Sequence, residues 1–326
     1  MNAGTTPPPA APTDTRPATT TSAPAAEPAP MPTVASRTAG CDVTTGGGLA
    51  AGSTSTRSVT VDGVPRPYLV HVPDGYDPTV PTPSVVTFHG LGTNAFLQLA
   101  NSGILASADA NGYVVIAPEG QSGVWQLPSG EGSAAAETPE LAYLEAVTAD
   151  TDAALCLDPA RRYASGMSMG SAMTLVLACQ PTRRYAAFGG VGASFYRPIC
   201  DGAPPAPLIY FHGTADDIVP FDGGSARGFE VDAVPDTMAA WADHNRCAAE
   251  ASTATTADVT LLEWSQCADN ADVDFYRIDG GGHTWPDSPV TTNPTFAGIG
   301  GVTTTTVNAT DAMWDFFRRY TLPTAG

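Results

Sequence analysis

Ser168 is the residue whose surroundings point most directly to chemistry. It stands in Gly166-Met167-Ser168-Met169-Gly170, with a glycine two positions away on each side. A short apolar run precedes this stretch and a predicted apolar helix follows it, the setting in which Gly-x-Ser-x-Gly forms a sharp strand-to-helix turn. Side chains at the two flanking positions would clash in such a turn. The pattern predicts that Ser168 is a nucleophile.

A serine hydroxyl needs a base at neutral pH, and the chain has five histidines. His283 lies in DGGGHTWP, a glycine-rich stretch after the last predicted strand, from which it can reach the edge of a sheet. His89 and His212 each end a predicted strand before a glycine and are expected to shape loops around the site. His71 and His244 are expected to be structural or solvated. His283 is therefore the predicted base.

A carboxylate that orients the imidazole completes such a site. The stretch HGTADDIVP follows another predicted strand and contains Asp216 and Asp217. Asp216 is the predicted partner, with Asp217 as the alternative. The chain order Ser168, Asp216, His283 is that of the α/β hydrolases.

Backbone amides would stabilise the negative charge that develops on a reacting carbonyl oxygen. The Met169 amide, at the start of a helix, is one predicted donor. The second is expected from the loop FHGLGTN, where Leu91 is the predicted donor and Gly90 the alternative. Gly90 and Thr93 of the same loop are also predicted to contact the substrate.

Two tryptophans are candidates for substrate contact. Trp285 lies two residues after His283, and Trp125 follows the predicted strand region at Val114–Pro118. Either is predicted to stack on an aromatic acyl group or to line an apolar groove. Packing in the core is the alternative for both.

The composition limits the partners of these groups. The 326 residues are 43% hydrophobic, enough for a sizeable core. Acidic residues outnumber Lys and Arg 33 to 14, and the net charge of −19 argues against nucleic acid and anionic membrane surfaces as partners. No segment reaches the ~18 apolar residues of a membrane span. Metal-ligand spacings and a P-loop pattern are missing, so we expect no cofactor and no metal.

Six cysteines in an acidic chain favour disulfides and an oxidising compartment, with six buried free thiols as the alternative. Their connectivity cannot be deduced from spacing alone. The plausible pairs are Cys247 with Cys267, Cys179 with Cys200 and, as the remainder, Cys41 with Cys156.

The chain divides into two parts of different composition. Residues 1–40 are rich in Pro, Thr and Ala without an aromatic residue, which predicts a disordered linker. Residues 41–326 are predicted to form one catalytic domain. The N-terminus lacks a basic region followed by an apolar one, so a signal peptide is expected to be absent from this sequence. We expect a secreted or cell-surface protein and a monomer.

Strand and helix patterns alternate along the domain and predict an α/β fold, with a mostly parallel central sheet and helices on both faces. Arg57–Asp62 and Arg66–Val72 are expected to form an antiparallel hairpin, and Ala95–Asn111 one helix. Only a short segment separates Ala193 from the strand at Leu208, so no large lid is predicted. Further strands are predicted at Ser84–His89, Tyr113–Ala117, Arg162–Ser165, Ala186–Val191, Leu208–His212 and Val273–Ile278, and further helices at Leu141–Leu155, Met169–Cys179, Pro235–Asn245 and Ala309–Tyr320.

Six stretches carry a family resemblance: RPYLVHVPDGYD, VTFHGLG, YVVIAPEG, RRYASGMSMGSAM, LIYFHGTADDIVPFDGG and YRIDGGGHTWP. Over roughly residues 57–320 the chain resembles the secreted polyhydroxybutyrate depolymerase and feruloyl esterase-like branch of the α/β hydrolases. The resemblance implies that Ser168, Asp216 and His283 take the nucleophile, acid and base positions. Met169 stands where many relatives have a polar residue, and in this the chain is similar to cutinase-like polyester hydrolases.

We therefore expect a serine carboxylic-ester hydrolase that acts on bulky or polymeric esters through an acyl-enzyme. Its substrate would be a polyhydroxybutyrate-type polyester or a feruloyl or acetyl-xylan ester. One alternative is a cutinase-like hydrolase of synthetic aromatic polyesters such as PET. The others are a peptidase or acyltransferase with the same triad and a non-catalytic surface-binding protein.

Overall fold

The computed structural model describes residue 1 and residues 33–42, 48–128, 138–193, 200, 202–226, 229–248 and 251–324. Most of the predicted linker lies outside these residues. Its last part packs on the domain, because Val34 pairs with Thr324 and the buried Thr38 donates its hydroxyl to the carbonyl of Leu155.

Twelve strands are found in the described residues: β1 (Ser53–Val61), β2 (Val64–Val72), β3 (Thr82–Phe88), β4 (Val114–Pro118), β5 (Leu157–Met167), β6 (Ala187–Val191), β7 (Leu208–Gly213), β8 (Gly224–Ala226), β9 (Phe229–Val231), β10 (Ser252–Thr256), β11 (Val259–Trp264) and β12 (Val273–Ile278). Six α-helices accompany them there: α1 (Ala95–Ser102), α2 (Ile104–Asn111), α3 (Pro139–Ala154), α4 (Met169–Ala178), α5 (Val234–His244) and α6 (Ala309–Phe317).

Ten of the strands form one sheet in the order β1-β2-β4-β3-β5-β6-β7-β12-β11-β10. Its centre, from β4 to β12, is parallel. The outer pairs at both edges are antiparallel, and β1 with β2 forms the predicted hairpin. The carboxyl ends of the parallel strands therefore meet along one edge, where α/β proteins place their sites.

Both faces of the sheet are covered, which explains why the strands β3, β4, β6 and β7 are buried at every residue and not at alternate residues. In β7, Leu208 and Tyr210 belong to one core cluster, whereas Ile209 and Phe211 belong to the other. Helices α3, α4 and α5 contribute to the first cluster and α1, α2 and α6 to the second. The predicted α/β arrangement, with helices on both faces, is confirmed.

Three details differ from the sequence prediction. The single helix expected over Ala95–Asn111 is two helices, because Gly103 adopts a left-handed φ of 65° between them. The strand expected at Arg162–Ser165 is longer and spans all of β5. The strands β8 to β11 were not predicted; all five residues of β10 are exposed, so its sequence carries no apolar alternation.

Three disulfides join Cys41 to Cys156, Cys179 to Cys200 and Cys247 to Cys267, which are the pairs that the sequence suggested. The third closes the hairpin of β10 and β11. No helix among the described residues is long and apolar enough to cross a membrane.

A buried ion pair ties β2 to α3 behind the edge of the sheet. The Arg66 guanidinium donates to the Glu140 carboxylate over 2.8 Å and to the Glu119 carbonyl over 3.2 Å. It also lies 3.9 Å from the centre of the Tyr143 ring. The Glu140 side chain is fully buried, so loss of its charge would leave Arg66 without its counter-ion in a low-dielectric environment.

We predict that Glu140→Gln lowers the free energy of unfolding by about 3 kcal/mol, because it leaves a buried guanidinium uncompensated. Urea unfolding followed by circular dichroism measures the change. Glu145→Gln is the matched control: Glu145 pairs with Arg184 on the surface of the same helix and should cost less than about 0.5 kcal/mol. Equal effects of the two substitutions would contradict the prediction.

Candidate active site

Ser168 occupies the turn between β5 and α4. Its φ of 55° and ψ of −123° lie outside the regions that non-glycine residues normally adopt. Such backbone strain persists only where the surrounding structure enforces it, and it is concentrated at functional sites. The turn has the geometry that the sequence pattern predicts for a nucleophile elbow.

The two flanking glycines allow this turn because their neighbours leave no space for a side chain. A Cβ atom at Gly166 would overlap the carbonyl oxygen of Gly170. A Cβ atom at Gly170 would overlap the carbonyl oxygen of Phe88, at the end of β3. Helix α4 therefore begins in direct backbone contact with β3, and this contact fixes the position of Ser168 above the sheet.

His283 and Asp216 lie together beyond the ends of β12 and β7. The Nδ1 atom of His283 is 2.7 Å from Oδ2 of Asp216, whose side chain is fully buried. The other carboxylate oxygen of Asp216 accepts hydrogen bonds from the amides of Ile218 and Val219. Asp217 is exposed, and thus the structure places Asp216 rather than Asp217 against the imidazole.

Ser168 and His283 both adjoin the end of β6. The Ser168 amide donates to the carbonyl of Val191 over 2.8 Å. The next residue, Gly192, has a φ of 63°, and a Cβ atom there would lie 3.2 Å from the His283 ring. Gly192 was not singled out from the sequence, although its position at the end of a predicted strand is a signal that could have found it.

Opposing effects act on the Asp216 carboxyl. Burial raises its pKa. The pKa is lowered by the hydrogen bond and charge of His283, by the Val219 amide and by His212. The net pKa is below the ordinary value. His212 is itself buried, and burial lowers its pKa. Its Nε2 donates to the Val219 carbonyl over 2.9 Å and lies 3.4 Å from Asp216 Oδ2. His212 thus holds the loop that carries the carboxylate.

The loop after β3 approaches Ser168 from the other side. A Cβ atom at Gly90 would be 3.4 Å from the Ser168 Cβ. Among the described residues, the amides of Leu91 and Met169 donate no hydrogen bond, which leaves both available to a ligand. The Thr93 side chain is exposed, and its hydroxyl donates to the Gly90 carbonyl over 2.8 Å.

His89 fixes this loop from beneath. The Gly120 amide donates to His89 Nε2 over 2.9 Å, so Nδ1 carries the proton and donates to the Gly90 carbonyl, also at 2.9 Å. The expectation that His89 shapes a loop at the site agrees with these contacts.

The structure contradicts the prediction that Trp125 and Trp285 contact the substrate, because each is only 1% exposed. The Trp125 indole donates to the His89 carbonyl and packs edge-on against Phe88. The Trp285 indole donates to the Thr310 hydroxyl within the core beside α6. Both therefore support the site from the core, and neither ring reaches a ligand.

Within the described ranges, no group of three or more His, Cys, Asp or Glu side chains is arranged to hold a metal ion. The chemistry that this arrangement can perform is transfer of a proton between a serine hydroxyl and an imidazole whose far nitrogen is held by a carboxylate.

Comparisons with known proteins place this chain in a family. Among solved structures, a thermostable esterase matches with a TM-score of 0.55 at 16% identity, covering 82% of this chain and 63% of that chain. Native sOPH matches with a TM-score of 0.51 at 16% identity, and the match covers 74% of this chain and 85% of that chain. At these identities the likeness shows the fold, which is that of the α/β hydrolases.

The "Putative esterase NocK" of Nocardia uniformis subsp. tsuyamanensis is 30% identical over 294 residues, which cover 82% of this chain and 83% of that protein. The chain therefore belongs to the esterase family of α/β hydrolases. Feruloyl esterase C of Emericella nidulans is 27% identical over 164 residues, which cover 49% of this chain and 58% of that protein. The match to this relative thus spans little more than half of its length. No protein-family profile matches the chain.

We predict that Gly170→Ala lowers the free energy of unfolding by at least about 2 kcal/mol, because the new methyl group forces α4 away from Phe88. The same displacement moves Ser168, so turnover of a soluble ester should fall as well. Urea unfolding and initial rates measure both effects. Gly75→Ala is the control, since a Cβ atom there meets nothing within 4 Å; a Gly170→Ala variant as stable as this control would refute the steric argument.

The lowered pKa of Asp216 has a consequence for stability. Its ionised form stabilises the fold above the ordinary pKa of 3.8, and this contribution is lost as the pH falls through the lower pKa of the folded state. We predict that wild type is more stable than Asp216→Asn at pH 7 and that the difference shrinks below pH 3.8. Unfolding free energies measured across this range test the sign. A constant gap between wild type and Asp216→Asn across this range would exclude the linkage.

Proposed function

We propose that the protein hydrolyses carboxylic esters through Ser168, His283 and Asp216. The observation that carries this proposal is that the strained turn at Ser168 and an imidazole bonded to a buried carboxylate both adjoin the end of β6. A strained serine alone, or a buried Asp–His pair alone, has structural explanations. Their common position at the end of β6 supports an acyl-transfer site, which requires both.

In the proposed mechanism, the Ser168 hydroxyl oxygen attacks the ester carbonyl carbon. His283 Nδ1 is engaged with Asp216, so Nε2 takes the serine proton and then delivers it to the departing alkoxide as the ester C–O bond breaks. Asp216 stabilises the imidazolium and holds the ring in orientation. Water then attacks the acyl-enzyme with His283 again as the base, which releases the acid and restores Ser168.

Two amides are proposed to stabilise the oxyanion of each tetrahedral intermediate. Met169 is the first residue of α4, where the helix presents unpaired N–H groups and positive potential. Leu91 follows Gly90, which lies against Ser168. The free amides of these two residues support this assignment, because a donor already engaged elsewhere would have to break that bond first.

For the substrate, we propose a bulky or polymeric ester, either a polyhydroxybutyrate-type polyester or a feruloyl or acetyl ester of xylan. The feruloyl esterase relative supports the second class. The short connection of residues 192–207 between β6 and β7 supports a site open to a large substrate. We also propose that the protein works outside the cytoplasm, since three disulfides persist in an oxidising environment.

Ser168→Ala should lower turnover of p-nitrophenyl acetate by at least about 1,000-fold, because the covalent route is removed. Circular dichroism and the melting temperature should match wild type. A fluorophosphonate probe should label wild type and leave the variant unlabelled. Turnover retained by the variant would exclude the mechanism, and mass detection of the acids that wild type releases from polyester and from esterified xylan would identify the substrate class.

A further inference from the structure

The exposed apolar side chains of this protein are concentrated around the candidate active site. Ten large apolar residues among those described are exposed, and only Met1, Val64 and Val80 lie elsewhere. The other seven come from three segments that follow β3, β4 and β12. We call these seven residues the apolar face: Leu91, Phe96, Leu97, Val124, Phe296, Ile299 and Val302.

Each segment of the apolar face is bonded to a neighbour of the catalytic candidates. Leu91 follows Gly90, where an added Cβ atom would lie 3.4 Å from the Ser168 Cβ. The segment with Val124 is joined to this loop, because the Gly92 amide donates to the Gly123 carbonyl over 2.8 Å. The segment with Val302 lies against His283, since the Val302 carbonyl accepts from the amide of Gly282 over 2.9 Å.

The first and last segments are also joined directly. The Ser288 hydroxyl donates to the Asn101 side chain in α1 over 2.8 Å. The amide group of Asn101 in turn donates to the Met167 sulfur, one residue before Ser168, over 3.2 Å. The segments that carry the apolar face are therefore tied to each other and to neighbours of Ser168 and His283.

The charge distribution indicates what this face can meet. Residues 78–108, 120–130 and 288–310, which contain the apolar face, include no Asp, Glu, Lys or Arg, although the chain carries 33 acidic and 14 basic residues. These segments thus contribute no charged side chain of their own on a molecule of net charge −19, and the Glu119 carboxylate accepts a hydrogen bond from the Ala95 amide at the start of α1. An anionic membrane would repel the rest of the molecule, whereas a neutral apolar solid would not.

We propose that the apolar face adsorbs the enzyme onto the surface of an uncharged, water-insoluble ester polymer and so presents chain segments to Ser168. Five of its seven residues are aliphatic and offer no hydrogen bond to the hydroxyl groups of a polysaccharide. Exposed apolar areas of this kind mark interaction sites, and burying them against a polymer recovers hydrophobic free energy. This inference rests on the proposed ester hydrolysis and selects the polyester from the two substrate classes.

The test measures adsorption separately from turnover. Films of amorphous poly(3-hydroxybutyrate) are incubated with full-length protein that carries Ser168→Ala, so that binding is read without degradation. The face variant adds Phe96→Ser, Phe296→Ser and Ile299→Ser, none of which belongs to the proposed catalytic groups. The control adds Val64→Ser and Val80→Ser, two apolar residues away from the site that are 47% and 54% exposed. The three face substitutions are also made singly.

The face variant should adsorb at least about tenfold more weakly than its parent, and the control should adsorb equally well. With Ser168 restored, the face variant should turn over soluble p-nitrophenyl acetate within about twofold of wild type but degrade the film more slowly. Unchanged adsorption of the face variant, or an equal loss in the control, would overturn the proposal.

Three further results would also overturn it. These are stronger binding of the parent to phosphatidylcholine vesicles than to the film, stronger binding to insoluble acetylated xylan, and a dimer in sedimentation that the face substitutions dissociate. The adsorption test does not depend on the catalytic assignment. If Ser168→Ala retained turnover, the proposed function would be refuted, but the adsorption of the face variant and of the control could still be compared.

Discussion

The contact between the start of α4 and the end of β3 determines the geometry of this molecule's functional edge. Gly170 lies against the Phe88 carbonyl so closely that no side chain fits, and the chain can leave β5 and enter α4 only by placing Ser168 in a strained conformation. The strain is local, but its support is distributed over β3, β5 and β6. The core of the sheet thereby holds the Ser168 side chain in one position above the edge of the sheet.

The remaining parts of the site depend on that position. His283 comes from a glycine-rich loop, and a Cβ atom at Gly192 would lie only 3.2 Å from its ring. Asp216 holds the ring through Nδ1. The carboxylate is kept in place by two backbone amides and by the loop that His212 supports. A negative charge is tolerated in this buried place because every contact there compensates it.

The surface around the site contrasts with the rest of the protein. A chain of net charge −19 is well suited to stay dispersed in water, yet the segments that border Ser168 are uncharged and expose Phe96, Ile299 and Val302. The same loops supply the backbone groups proposed for catalysis and the side chains proposed for adsorption.

The sequence by itself determined the α/β class, the alternation of the central elements and the candidates Ser168 and His283, because apolar periodicity and glycine positions are local signals. It also indicated the three cysteine pairs. Other features follow from contacts between residues distant in the chain and had to come from the tertiary structure. Asp216 and Asp217 are adjacent and chemically alike, and only the approach of His283 distinguishes them.

Burial is the second feature that only the tertiary structure decided. Trp125 and Trp285 lie near the site in sequence but are covered by β3 and α6, so proximity along the chain gave a wrong prediction of substrate contact. The break at Gly103 interrupts a continuous helical pattern because the chain turns there against Pro289. The apolar face likewise cannot be identified from the sequence, since its three segments are separated in the chain. They come together only because the parallel strands end at one edge of the sheet.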